Sequence, residues 1–159
     1  MSRLLVFGVS YRTAPLALRE RLAVGQERVV ADLQTLMQQG CLSEGVLLST
    51  CNRVEVIATA DTPEAAIGGT LTYFNQRVAP DKIDAAVYRH VGRDAARHLF
   101  RVACGLDSMV LGEAQILGQV NEAFSLALGA GTVGSLLGRS FERSFGVAKR
   151  VRTDTALAA

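Results

Sequence analysis

No run of eighteen or more uncharged apolar residues occurs anywhere in the chain, so nothing in it is suited to span a membrane. The N-terminal stretch MSRLLVFGVSYRTAP has one early arginine, Arg3, and a short apolar run. It lacks the length and the small-residue cleavage site of a secretory signal, and its alternation suits a first strand. Cysteine is scarce and odd in number: Cys41, Cys51 and Cys104. With no secretion signal, that favours free thiols in a reducing, cytoplasmic setting over a disulfide frame. There is no C-x-x-C pair and there are only two histidines, His90 and His98, which argues against a metal site. Internal repeats and low-complexity tracts are also missing.

The 159 residues fit one domain of ordinary size, and 49% apolar residues are enough for a core. A formal net charge of +2 excludes little. Arg139, Arg143, Lys149, Arg150 and Arg152 cluster near the C-terminus. They form either a phosphate-binding face or a solvated helix face.

Local signals alternate between strand and helix. Leu4 to Val9 reads as a strand, and Thr13-Ala14-Pro15 turns the chain into a short helix, LALRERLAV. Gln26 to Gln39 carries Val29, Val30, Leu33, Leu36 and Met37 at helical spacing, and Gly40 suits its stop. VLLSTCNRVEVIAT (46–59) reads as strand, tight turn, strand. Thr62-Pro63-Glu64 starts a helix to about Gln76, and Pro80-Asp81 breaks the chain. Ala86 to Val91 reads as a strand, Arg93 to Cys104 as a helix ended by Gly105. Asp107 or Ser108 caps a long helix to about Leu128, and a last helix spans roughly Thr132 to Thr153. The expected fold is α/β (α+β): a small sheet packed with helices in a two-layer ferredoxin-like sandwich, with a helical C-terminal extension.

Cys51 stands at the turn of the central hairpin-like stretch. Catalysis by cysteine needs the thiolate, which a nearby cation or turn N–H groups favour. Arg53 and Glu55 follow at intervals of two, which on a strand places them on one face. The set reads as nucleophile, anion clamp and acceptor of a cation, or else as a structural cysteine beside an ion pair. His98 follows Asp94 by one helical turn, so that Asp94 could set its tautomer; a packing role is the alternative, and His90 competes for any catalytic one.

On a helix from Ser108, the residues Gly112, Gln115, Gln119 and Glu122 fall on one stripe, with Val110, Leu117, Phe124 and Ala127 opposite. Neutral polar groups beside a glycine suit a small polar ligand; a solvated face is the alternative. Glu113 lies off that stripe. Gly129-Ala-Gly-Thr-Val-Gly134 matches G-x-G-x-x-G, but no strand precedes it. It reads as a helix-to-helix turn and not as a dinucleotide site.

Four stretches together resemble glutamyl-tRNA reductase over essentially the whole chain: GVSYRTAPLALRERL, STCNRVE, HLFRVACGLDSMVLGEAQILGQV and FGVAKRVRTDT. The resemblance implies that residues 1–159 form its N-terminal catalytic domain, with the helix of residues 132–155 leading to a separate NADPH-binding domain. It implies that Cys51 takes the glutamyl group from glutamyl-tRNA as a thioester, which NADPH reduces to glutamate 1-semialdehyde for tetrapyrrole (porphyrin, haem) synthesis. It makes His98 a second residue needed for activity. It assigns substrate contacts to Thr50, Asn52, Arg53, Ser108, Glu113, Gln115 and Gln119. No cofactor or metal ligand is implied within this chain. Implied partners are glutamyl-tRNA, the aminomutase that consumes the semialdehyde, and a second copy in the full-length family. Three positions depart from the pattern: Tyr11 stands where many members have histidine, and Cys104 and Ala114 replace commoner serine and proline. A glutamyl-tRNA binding or regulatory module is the competing expectation.

Overall fold

A computed structural model describes residues 1–155. In chain order it contains β1 (Arg3–Ser10), α1 (Leu16–Leu22), a 3-10 turn (Gln26–Arg28), α2 (Val29–Gln39), β2 (Glu44–Ser49) and β3 (Arg53–Ala60). Then follow α3 (Pro63–Asn75), α4 (Pro80–Ala86), β4 (Tyr88–Val91), α5 (Arg93–Ala103), α6 (Gln115–Ala130) and α7 (Ser135–Asp154). The four strands form one antiparallel sheet in the order β2-β3-β1-β4. That order, with helices between β1 and β2 and between β3 and β4, is the expected ferredoxin-like arrangement.

Every residue of β3 is buried, which requires cover on both faces of the sheet. Strand parity separates the two faces. Phe7 pairs with Val56, and Phe7 stacks on Phe74 of α3 at 5.5 Å, so α3 lies on that face. Such a ring pair adds about 0.5–1.5 kcal/mol beyond burial. Gly45, opposite Ala58, shares it: a Cβ there would meet Met37 and Leu33 of α2. The other face carries Arg53, Glu55, Ile57 and Thr59, and the C-terminal helices cover it. The helical extension therefore shields the second side of the sheet.

The G-x-G-x-x-G stretch is the expected helix-to-helix turn. Gly131 caps α6 in the left-handed region (φ 75°), which favours glycine. Gly134 admits a carboxylate: Oε1 of Glu44 would lie 2.7 Å from a Cβ there. Glu44 accepts the amide N–H of Gly134 at 2.6 Å, the amide of Leu137 at 3.1 Å and the Thr59 hydroxyl at 2.7 Å. A buried acid thus stabilises the positive end of α7 and ties it to β2.

Several expected boundaries need correction. Pro80-Asp81 does not break the chain; Pro80 starts α4, where its missing N–H costs nothing, and Ile83 buries the helix. The following strand begins at Tyr88 and the last helix at Ser135, while Gly129 stays inside α6. The largest correction concerns Ser108. The helix expected from Asp107 or Ser108 begins only at Gln115. Gly105 and Gly112 both adopt φ 76°, and the Gly112 amide donates to the Gly105 carbonyl at 3.0 Å. A Cβ on Gly105 would lie 3.1 Å from the Gly112 Cα. Two glycines close a loop where the spacing alone had suggested a helix, so Ser108 and Gly112 share no helical stripe with Gln115, Gln119 and Glu122.

Candidate active site

Gly8 of β1 stands between Glu55 of β3 and Tyr88 of β4 in cross-strand register. A Cβ at Gly8 would lie 2.2 Å from the Val54 carbonyl oxygen and 3.1 Å from Cγ of Glu55. The missing side chain opens a lane over β1, and the Tyr88 hydroxyl crosses it to donate to Oε2 of Glu55 at 2.6 Å. Nε2 of His98, on α5, meets the same oxygen. Nη1 of Arg53 donates to Oε1 at 3.4 Å.

Arg53 and Glu55 are each 1% exposed. Buried charges persist only when paired and hydrogen-bonded, and here the pairing continues outward. Nη2 of Arg53 reaches the Asp107 carboxylate at 3.1 Å and also its backbone carbonyl. Arg12 closes on the far oxygen of Asp107 at 3.2 Å. The result is a chain of alternating charge, His98–Glu55–Arg53–Asp107–Arg12, running from the sheet to the surface.

This chain sets the protonation states. Burial works against the charged form of Glu55, but the His98 hydrogen bond and charge, with Arg53 and Tyr88, hold its carboxyl at about 2. Burial and the Glu55 charge push the Tyr88 phenol well above its ordinary range. Burial and nearby His98 lower His90, which stacks on His98 at 4.7 Å. Burial opposes the Arg53 charge, yet Glu55 and Asp107 raise its pKa. An ionised Glu55 can only accept, so Nε2 of His98 donates to it and Nδ1 is the ring nitrogen outside that bond.

Above this chain lies a cleft of ≈ 500 Å³, with Ser10, Arg12, His90, Arg97, His98 and Asp107 among the residues lining it. Cys51 is not among them. It is exposed and outside any disulfide, at the turn between β2 and β3. Thr50 builds that turn: its hydroxyl accepts the amides of Asn52 and Arg53 at 3.2 Å each. Arg19 donates to the Cys51 carbonyl at 2.8 Å, and the Asn52 carbonyl accepts the Tyr11 amide at 2.8 Å. The turn is therefore fastened to the Ser10–Thr13 wall of the cleft.

The expected alignment of Cys51 with Arg53 and Glu55 on one strand face is corrected, because β3 begins only at Arg53. The expected Asp94–His98 pair is also corrected. The carboxylate bonded to His98 is Glu55, from a strand distant in sequence, which burial forces into a pair. Ser108 and Glu113 are half-buried in the loop between α5 and α6, and the Glu113 carbonyl accepts from Arg152 at 2.9 Å. Gln115 is exposed at the start of α6. Gln119 lines a separate small crevice with Ser49 and Glu122. Tyr88, Asp107 and Arg12 escaped the sequence reading as site residues. Their one signal was Arg53 and Glu55 themselves: charges inside an apolar strand demand partners. Among the described residues, no group of three or more potential ligands is placed to hold a metal, and no helix is long and apolar enough to cross a membrane.

Fold and site together define a ferredoxin-like α+β domain with a charged cleft beside α5, on the sheet face that the C-terminal helices cover. The chain belongs to the glutamyl-tRNAGlu reductase N-terminal domain family, whose profile matches residues 7–155. It is 46% identical over 155 residues to a glutamyl-tRNA reductase of Pseudomonas paraeruginosa, covering 96% of this chain and 36% of that protein. It is 45% identical over 157 residues to one of Nitrosococcus oceani, covering 98% and 37%. The solved glutamyl-tRNA reductase from Methanopyrus kandleri superposes with a TM-score of 0.77 at 34% identity, over 96% of this chain and 35% of that one. The chain thus spans little more than a third of the length of these relatives.

Proposed function

We propose that this chain is the acyl-accepting domain of an NADPH-dependent glutamyl-tRNA reductase, acting on the path through glutamate 1-semialdehyde to tetrapyrroles. Family membership supports the substrate. The observation that carries the chemistry is an exposed cysteine on a turn fastened beside a cleft whose histidine is bonded to a buried acid.

In this reading the Cys51 sulfur attacks the carbonyl carbon of the glutamyl ester. A C–S bond forms, the C–O bond to the terminal ribose breaks, and the thiol proton ends on the departing tRNA hydroxyl. His98 moves that proton through Nδ1, with Glu55 stabilising its positive charge. Thr50 and Asn52 hold the turn in shape. Glu113 meets the α-amino group, and Ser108 and Gln115 give neutral hydrogen bonds, while Gln119 acts from its own crevice beside Ser49 at the end of β2. Arg53, already committed to Glu55 and Asp107, supplies positive potential under the site.

The one dinucleotide-like stretch among the described residues does not fit NADPH. The one G-x-G-x-x-G stretch joins two helices, follows no strand, and is filled by the Glu44 carboxylate. The proposal is therefore confined to acyl transfer, and reduction belongs to a separate domain to which residues 132–155 lead.

The test is to incubate the chain with labelled glutamyl-tRNA and NADPH. Free glutamate, from slow hydrolysis of the thioester, is expected, with no semialdehyde. Cys51→Ser is expected to stop the release while tRNA still binds. Equal release by both proteins would mean a binding module, and semialdehyde from this chain would overturn the division of labour.

A further inference from the structure

Arg93, Arg97 and Arg101 recur every four residues on α5, and all three are exposed. Each step of four advances roughly 6 Å along the helix and turns about 40°. The three guanidiniums therefore form one slowly winding stripe about 12 Å long. Arg97 and Arg101 line the cleft beside His98, and the stripe winds away from it toward Arg93.

Among the described residues, none of the three forms an ion pair. Arg101 has only a long bond, 3.4 Å, to the Leu106 carbonyl. Other charges nearby are already balanced: Asp107 by Arg53 and Arg12, and Glu55 by Arg53 and His98. Asp94 is the one exposed acid of α5 lining the cleft.

The same arginines border a second groove, ≈ 380 Å³, between α5 and α7. Its floor is apolar: Ala96, Phe100, Leu106, Val147 and Val151. A row of guanidiniums over an apolar, partly aromatic floor is the chemistry of single-stranded nucleic-acid binding. Phosphates meet the charges, and bases lie on ring and guanidinium planes. A 12 Å stripe spans about three to four nucleotides at 3.4 Å each along one strand.

We propose that Arg93, Arg97 and Arg101, with the groove between α5 and α7, hold the unpaired 3′ end of a tRNA and lead its terminal ester into the cleft at His98. This rests on glutamyl-tRNA being the substrate. It assigns the RNA contact to α5, away from the basic cluster of α7.

The experiment measures binding of two probes to the whole chain as salt is varied: an uncharged tRNA, and the same tRNA with its unpaired 3′ nucleotides removed. Each phosphate contact contributes about 0.7–0.9 to the slope of log K against log salt. R93Q/R97Q/R101Q is expected to make the slope for intact tRNA shallower by about 2 and to leave trimmed tRNA unchanged. R139Q/R143Q, on α7, is expected to match the parent chain. An unchanged slope in the α5 variant would overturn the proposal, as when that groove is covered by another protein segment. Equal losses with intact and trimmed tRNA would overturn the assignment to the tail. The R93Q/R97Q pair, which leaves the Arg101 bond in place, serves if the triple variant misfolds. Capture of a small labelled glutamyl ester by Cys51 reports on the acyl transfer separately, so failure here leaves that reading standing or falling by its own result.

Discussion

Replacing Glu55 by glutamine keeps the size of the side chain and removes the charge on which its three neighbours converge. The Tyr88 hydroxyl, the Arg53 guanidinium and Nε2 of His98 all donate to it, and it is 1% exposed. The amide would turn an NH2 group toward at least one donor and leave Arg53 with Asp107 alone. Removing one partner of a buried pair costs about 3–5 kcal/mol. An independent route gives a similar figure. The Glu55 carboxyl stands at about 2 against an ordinary 4.5, and at about 1.36 kcal/mol per unit that is about 3 kcal/mol. The sign follows from the depressed folded-state value: the contribution is complete above pH 4.5 and is lost as the pH falls toward 2. Urea unfolding at pH 7 should show Glu55→Gln less stable by about 3 kcal/mol with an unchanged m-value. Between pH 4.5 and 2 the gap between parent and variant should narrow. A loss under about 1 kcal/mol, or a gap constant across that window, would refute the burial and pairing assigned to Glu55.

Gly8→Ala forces a Cβ to within 2.2 Å of the Val54 carbonyl and should cost about 1–3 kcal/mol in thermal unfolding; a neutral result would mean that the lane under Tyr88 is not tight. Glu44→Ala should cost about 1–2 kcal/mol and speed hydrogen exchange at the Leu137 amide, which Glu44 accepts. Unchanged exchange there would contradict its capping role. Gly105→Ala places a side chain at φ 76° against Gly112. It should cost about 1–2 kcal/mol and heighten proteolysis between Leu106 and Ala114, and resistance equal to the parent would argue against the closed loop.

Alternation and punctuation made the sheet legible: apolar runs marked β1, β2 and β3, and Gly40, Thr62-Pro63 and Gly105 marked helix ends. Apolar spacing failed where backbone conformation decides the fold. Ser108 to Gly112 has helical spacing, yet the loop closes through a bond between Gly105 and Gly112, both in the left-handed region, which side-chain periodicity does not report. The site divides in the same way. Cys51 and His98 stood out by residue type. The link from Glu55 to His98 spans from strand to helix, so the nearer Asp94 was the only partner a helical period could offer. Tyr88 gains meaning only through the register that sets it across Gly8 from Glu55.

The central claim is that Cys51 accepts a glutamyl group. Mixing the chain with glutamyl-tRNA, quenching in acid and weighing the intact protein tests it most directly. The account predicts one added glutamyl mass, mapped to Cys51, released by hydroxylamine and missing from Cys51→Ser. An unchanged mass under conditions where the tRNA is bound, or a glutamyl group on Cys41 or Cys104 instead, would contradict it.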